Sequence, residues 1–312
     1  MDGPLDISVI LTTYNRAALL PRAIASVLAQ EGARFELIVV DDASTDATRG
    51  YLSTLADPRI RVIASERNLG PSGARNKGLE AARAEVVAFL DSDDAYLAGR
   101  LAVPLACLAA DPDLVCVLSS AVKFDRAVPR EARIPALRLA APAFEWALTA
   151  DLIPVEATSM TVRRAAALAV GGFCQELRLT EDREFLIRLA RKGAGRLVAD
   201  LLWQKFWVDG SLSNDWAGAG SGLLAYAAQR PEYLDRFRKL GSYLATKVLV
   251  GHLRNRQPLS FWRDLVRLRA AGLIDGNIPR LVRDHREVSR YRKEMSRAPA
   301  LAALTGPPES WR

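Results

Sequence analysis

Three carboxylates crowd into four residues at Asp91-Ser92-Asp93-Asp94, directly after the apolar run Val86–Leu90. At that spacing they repel one another unless water or a cation offsets their charge. Mg2+ or Mn2+, a hard ion with oxygen ligands, does so and usually shares its remaining positions with substrate phosphates. The plainer reading is an acidic turn that caps the following helix. Asp41-Asp42 likewise closes an apolar run, Phe35–Val40. Ser44 or Thr45 suits a helix N-cap and Asp46 suits the helix dipole, which leaves Asp41 and Asp42 to meet base or ribose donors. Thr180-Glu181-Asp182-Arg183 opens an amphipathic helix with Phe185, Leu186 and Leu189 on one side and Arg188, Arg191 and Lys192 on the other. Thr180 as N-cap with two acids in the first turn explains this by capping alone; Asp182 as a general base is the sharper alternative. The two histidines, His252 and His285, lie in the C-terminal tail, so proton transfer in the body falls to a carboxylate.

Asn68-Leu69-Gly70-Pro71-Ser72-Gly73-Ala74-Arg75-Asn76-Lys77-Gly78 combines glycines that allow close backbone approach with two cations near a helix start. It matches neither GxxxxGK[ST] nor GxGxxG, which excludes a P-loop and leaves a dinucleotide fingerprint unsupported.

These residues need a scaffold that brings them to one edge. Ile7–Thr13, Phe35–Val40, Ile60–Ile63 and Val86–Leu90 are short β-branched-rich runs between turn residues and read as strands buried on both faces. Helical spacing over residues 17–30, 44–55 and 72–83 separates them, so the pattern predicts βαβ units and a doubly wound, mostly parallel sheet. In such sheets ligands bind beyond the carboxyl ends of the strands. Thr12, Thr13, Tyr14, Asn15, Asp41, Asp42 and Asp91 to Asp94 all follow strand ends. Further on, 114–122 reads as a strand, 125–142 as a mobile Arg- and Pro-rich loop, and 158–162 and 197–208 as strands. Residues 164–170 and 181–192 read as helices. Long basic helices follow over 231–255, 260–271 and 279–296, with a disordered end near Pro307-Pro308.

The 312 residues, half of them apolar and a quarter charged, exclude collagenous and disordered classes and allow about two domains. The expected division is 1–222 for the body and 223–312 for a basic helical region. Three scattered cysteines suit a reducing cytosol, and the apolar runs fall short of the ~20 residues of a membrane span. No basic leader precedes the first strand. The expected location is therefore cytoplasmic, with peripheral contact at the inner membrane face as one use of the tail. Residues 1–224 carry 25 basic and 28 acidic side chains and residues 225–312 carry 18 and 8, so the tail accounts for the formal charge of +7. Its helices suit an anionic membrane surface, packing on the body or a homodimer interface. No RNP box or zinc finger supports a nucleic-acid partner.

In order, several stretches together resemble the family 2 glycosyltransferases of the GT-A fold. They are Ser8-Val9-Ile10-Leu11-Thr12-Thr13-Tyr14-Asn15-Arg16, Ser26-Val27-Leu28-Ala29-Gln30, Val39-Val40-Asp41-Asp42-Ala43-Ser44-Thr45-Asp46, and Asn68-Leu69-Gly70 with Ala74 to Gly78. Phe89 to Asp94, Gly171-Gly172-Phe173, Glu181-Asp182 and Ser211-Leu212-Ser213 complete the set. The resemblance spans about residues 5 to 215. It implies a Rossmann-like α/β domain with a C-terminal helical extension, and inverting transfer from a nucleoside diphosphate-sugar, expected to be a UDP-sugar. The acceptor would be a hydroxyl on a polysaccharide, lipid-linked or cell-envelope glycan precursor. Thr12 and Asp42 would contact the base with Tyr14 and Arg75 near, Asp91 would sit by the ribose, and Asp93 and Asp94 would hold Mn2+ or Mg2+. Asp182 would serve as base with an ordinary carboxylate pKa of ~4, taking the proton late in the transition state. One departure stands out: where the family often has a histidine, Val208-Asp209 precedes Gly210-Ser211. The rivals are a sugar-phosphate nucleotidyltransferase, which expects a Gly-rich basic loop where Thr12 to Arg16 stand, and a non-catalytic nucleotide-sugar-binding protein.

Overall fold

The computed structural model describes residues 3–125, 128–177, 179–208, 218–229, 231, 238–274, 278–305 and 307. The N-terminal part alternates strictly: β1 (Ile7–Thr13), α1 (Leu20–Leu28), β2 (Phe35–Asp41), α2 (Thr48–Ser53), β3 (Ile60–Ala64), α3 (Gly70–Ala81) and β4 (Val86–Asp91). After it come β5 (Ala95–Tyr96), α4 (Ala102–Ala110), β6 (Leu114–Asp125), β7 (Val128–Ala132), β8 (Leu137–Leu139) and α5 (Ala141–Thr149). A 3-10 turn (Ala157–Ser159), β9 (Met160–Arg163), α6 (Arg164–Ala169), α7 (Glu181–Ala190) and β10 (Ala194–Phe206) follow. Helices α8 (Ala219–Gln229), α9 (Arg238–Arg254), α10 (Pro258–Ala270), α11 (Ile278–Met295) and α12 (Ala298–Ala302) end the described chain.

One ten-stranded sheet runs β3-β2-β1-β4-β9-β6-β10-β5, with β7 on β6 and β8 on β10. Strands β1 to β4 are parallel, as are β6 and β10, whereas β9 is antiparallel to both β4 and β6. The expected α/β fold with a mostly parallel central sheet is observed, and the antiparallel β9 makes the whole sheet mixed. The buried residues explain it. Ile7, Val9 and Leu11 face Leu20, Ala23, Ile24 and Val27 of α1 in one core cluster. On the opposite face of β1, Ile10 lies so close to Gly78 of α3 that a Cβ there would come within 2.4 Å of it. Register then aligns the strand ends: Thr12 lies opposite Asp91 and Thr13 opposite Asp41.

Two expectations do not hold. Residues 125–142, read as a loop, contain β7, β8 and the start of α5. Most of β7 is exposed, so its backbone pairs with β6 while its side chains carry no apolar alternation to betray a strand. Helix α2 begins at Thr48, not Ser44, because the residues before it form a braced turn.

The chain divides into two compact units. The first is Met1–Glu145, Pro154–Gln175 and Glu181–Val208; the second is Trp146–Ile153, Glu176–Thr180 and Asp209–Arg312. Among the described residues no helix is long and apolar enough to cross a membrane. The Gly210-Ser211-Leu212-Ser213 stretch, Asp209 and Pro308 lie outside the described residues.

Candidate active site

Two loops at the carboxyl edge of β1 and β2 are tied to each other. The Asn15 amide donates to Ser44 Oγ (2.9 Å), and Asn15 Oδ1 accepts from the amides of Thr45 (2.8 Å) and Asp46 (3.3 Å). Asp46 in turn accepts from the amides of Thr48 (3.0 Å) and Ala17 (3.3 Å). The cap role expected of Ser44 or Thr45 thus passes to Asp46, since Ser44 is spent on Asn15. Asn15 (φ 52°) and Ala43 (φ 64°) sit in the left-handed region, a strain of order 1–3 kcal/mol each that this bracing sustains. Thr12 is half-buried and Tyr14 is exposed at this edge.

Asp42 is buried and holds the start of α3. Its carboxylate accepts from the Leu69 amide (2.8 and 3.0 Å) and the Gly70 amide (2.8 Å). Helix α3 has no side-chain cap from its own N-cap residue, so Asp42, the residue after β2, supplies one. Asp41 beside it accepts from the Ser44 amide (3.1 Å) and Arg49 (3.0 Å).

From α3, Arg75 reaches two acids brought from distant parts of the chain. One Nη donates to Asp91 Oδ1 at 2.7 Å and the other to Glu181 Oε1 at 3.0 Å. Burial works against the guanidinium charge, but Asp91 and Glu181 outweigh it and raise its pKa. Its Nε is buried and meets no hydrogen-bond partner among the described residues, and Phe173 lies under the group, 5.4 Å from ring centre to guanidinium carbon. Asn76 grips the Phe173 backbone in both directions (2.8 and 2.7 Å). A Cβ at Gly172 (φ 66°) would come within 2.3 Å of Asn76 Oδ1, which explains a glycine there. Arg188 pairs with buried Glu184 at 2.6 Å and donates to Gly172 O at 2.7 Å, fixing α7 against the same segment.

At the head of α7, Asp182 is half-buried and its Oδ1 accepts from the Arg183 amide at 2.7 Å. Dehydration, then the negative charge of Glu181, push its carboxyl up to about 7 against the pull of Arg75 and Arg183. The ordinary carboxylate value expected from sequence is therefore wrong for this environment. Thr180 takes a left-handed backbone (φ 67°) and its hydroxyl donates to Leu179 O, so it is not the extended N-cap expected.

The acidic run ends β4. Asp91 and Asp93 are half-buried, whereas Asp94 is buried and accepts from Thr158 Oγ1 at 2.6 Å. Thr158 is itself fixed by Arg100, fully buried, whose guanidinium donates to Thr158 O (2.7 and 3.2 Å), Met160 O (2.8 Å) and Thr161 Oγ1 (2.7 Å). Burial and then the neighbouring carboxylates raise the pKa values of both Asp93 and Asp94. Lys205 of β10 lies in the field of all three acids, which with Glu156 raise its pKa against burial. Arg22 of α1 donates to Asp93 O at 2.6 Å and lies 3.6 Å above the centre of the Phe206 ring. Arg22, Lys205 and Thr158 escaped the sequence reading because each is distant in sequence from the residue it serves and sits in no local motif; Glu181 was read as a first-turn acid, but its partner Arg75 was not.

The donor set suits a hard divalent cation: carboxylate oxygens only, crowded enough that two are driven toward protonation. Among the described residues, no group of three or more His, Cys, Asp or Glu side chains is arranged to hold such an ion alone. Asp94 faces Thr158, so Asp93, with Asp91 beside it, is the more open of the pair expected to bind metal. A cation held by one or two carboxylates and completed by phosphate oxygens matches this arrangement.

The fold is that of the GT-A glycosyltransferases. TarS of S. aureus, solved in complex with UDP-GlcNAc, superposes with a TM-score of 0.61 over 93% of this chain and 90% of that one at 20% identity. The mannosyltransferase PcManGT of Pyrobaculum calidifontis, in complex with GDP-Man and Mn2+, does so at 0.59 over 96% and 82%, also at 20% identity. Residues 8–170 match the glycosyl transferase family 2 pattern, and the chain belongs to that family. Among curated relatives, the succinoglycan biosynthesis protein ExoO of Rhizobium meliloti is 50% identical over 101 residues, 32% of this chain and 29% of that protein. The chain spans between 29% and 40% of the length of the first five curated relatives it matches.

Proposed function

We propose that this chain transfers a sugar, with inversion, from a nucleoside diphosphate-sugar to a hydroxyl of a growing glycan, polysaccharide or lipid-linked. One observation carries the reading: a single guanidinium, Arg75, bonds both Asp91 at the end of β4 and Glu181 at the head of α7. That bond ties the acidic edge to a neighbouring carboxyl, Asp182, poised near neutrality. The family membership supports the activity, and the similarity to the succinoglycan biosynthesis protein ExoO supports a polysaccharide acceptor. A UDP-sugar is the donor we favour, in keeping with the TarS complex.

In this reading the first compact unit binds donor, and residues 223–312 are a separate basic helical region. Thr12, Tyr14 and Asp42 line the base subsite. Asp42 has already given most of its lone pairs to the α3 amides, so its share is one oxygen at most. Asp91, whose Oδ1 is held by Arg75, offers Oδ2 to the ribose hydroxyls, and Lys205 and Arg22 add positive charge for the diphosphate. Asp93, seconded by Asp94, would hold Mn2+ or Mg2+ together with the diphosphate. When bound, the ion supplies positive charge against which the departing diphosphate is stabilised. Asp182 takes the proton of the acceptor hydroxyl as its oxygen bonds to the anomeric carbon and the carbon–phosphate-oxygen bond breaks. Its raised pKa makes it a stronger base than an ordinary aspartate.

A thermal-shift series with UDP-, GDP- and dTDP-sugars, with and without Mn2+, tests this. Saturating one donor to ~100 times its Kd is expected to stabilise the fold by about 2.7 kcal/mol. Asp182→Asn should keep that shift and lose transfer. No shift with any donor, or transfer unchanged in Asp182→Asn, defeats the proposal.

A further inference from the structure

Helix α10 is amphipathic the wrong way round for a helix that only packs. Its inward side is settled: Leu268 and Asp264 are fully buried, and Asp264 Oδ2 is bonded to Nε2 of equally buried His252 at 2.9 Å. The helix cannot roll without breaking that pair. Its outward side nevertheless carries Leu259, Trp262 and Val266, exposed by 85%, 64% and 66%. With exposed Ala270, at 3.6 residues per turn, these fall within about 80° of arc and form one continuous stripe. Leu253, 58% exposed at the end of α9, lies just before it in the chain. Large apolar side chains massed at this exposure mark a contact surface.

The charges bordering the stripe say what kind. Arg269 flanks it on one side, Arg263 and Arg267 on the other, and Arg254 and Arg256 precede the helix. The helix has one acid, Asp264; it is buried and its single charge is shared by Arg263 (2.9 Å), Arg267 (3.6 Å) and His252, so the border of the stripe stays net positive. An apolar ridge between rows of arginine suits a surface that is oily below and anionic above, which is the interface of a bilayer containing acidic lipids. A second copy of the chain would bring the same arginines against themselves.

We propose that the outward face of α10 is a peripheral membrane-binding surface, with Leu259, Trp262 and Val266 entering the headgroup boundary and the flanking arginines meeting lipid phosphates. This does not depend on the transfer reaction. The test is flotation of the full chain with vesicles of equimolar phosphatidylglycerol and phosphatidylcholine, against phosphatidylcholine alone. Binding is expected to the anionic vesicles only and to weaken with salt. The double variant Trp262→Ser, Val266→Ser should lower the bound fraction at least about tenfold, because both apolar groups leave the interface. Its melting temperature should not change, because both side chains are already in water. Absence of binding to anionic vesicles, equal binding by the double variant, or light scattering that shows a dimer dissolved by the same substitutions would each overturn the proposal.

Discussion

The acid limb of the pH–rate profile is the most direct consequence of the Asp182 environment. With its carboxyl pushed up to about 7, the proposed base is half ionised at neutrality. Transfer should then fall by about tenfold between pH 8 and pH 6, whereas an unperturbed carboxylate near ~4 would leave the rate flat across that window. The cause can be tested separately. Glu181→Gln removes the charge that, after dehydration, contributes most to the rise, so its profile should keep its shape and move to lower pH. The assay is release of nucleoside diphosphate at saturating donor and cation, from about pH 5.5 to 8.5. Stability gives a second readout of opposite sign. A raised carboxyl pKa means that the folded chain binds more protons than the unfolded one between about pH 4 and 7, so this group's contribution to stability falls as pH rises through that window. Asp182→Asn, neutral throughout, should therefore melt above the parent at pH 8, and the gap should close as pH drops toward 4. A rate indifferent to pH between 6 and 8, together with identical melting of parent and Asp182→Asn at pH 8, would refute the assignment of Asp182 as a dehydrated base.

Three further outcomes are expected. Asp93→Ala should abolish the cation-dependent part of the donor thermal shift, as a chelator does for the parent; a surviving cation-dependent shift in the variant removes Asp93 from the site. Gly78→Ala drives a methyl to within 2.4 Å of Ile10 and should destabilise the α3–β1 packing by about 1–3 kcal/mol in urea unfolding. Arg100→Leu leaves Thr158 O and Met160 O without the guanidinium that serves them, at about 1–3 kcal/mol for each carbonyl left unmet. That loss frees Thr158 from its seat beside Asp94, so donor affinity should drop along with melting temperature.

The first half of the sheet was legible because β1, β2 and β4 are buried on both faces, which writes a continuous β-branched run into the sequence. Strand β7 was not, since an exposed edge strand has no apolar period to display, and β5, at two residues, is below any pattern. The acidic run and the Asp182 segment announced themselves by type. What could not be read was how they are joined. Arg75 and Glu181 stand 106 positions apart, and nothing near Glu181 distinguishes a helix-capping acid from the partner of a buried guanidinium. The same holds for Asp42, whose position after a strand suggested a ligand contact while its main occupation is closing the N-terminus of α3.

The pair of Arg75 and Glu181 also bears on Asp182, whose carboxyl is raised first by dehydration and then by the Glu181 charge. Glu181, bonded to Arg75 at 3.0 Å, lies beside Asp182, and its negative charge pushes that carboxyl up while Arg75 pulls it down. Arg75 is held by Asp91 in the same way, so an event at Asp91 reaches Asp182 through two charge-assisted bonds. In the proposed mechanism a ribose hydroxyl on Asp91 would draw on the carboxylate that shares the guanidinium, and Arg75 would lean toward Glu181. In that mechanism donor binding and the basicity of the proposed proton acceptor would be linked by one arginine, which the sequence presented as an ordinary cation near a helix start.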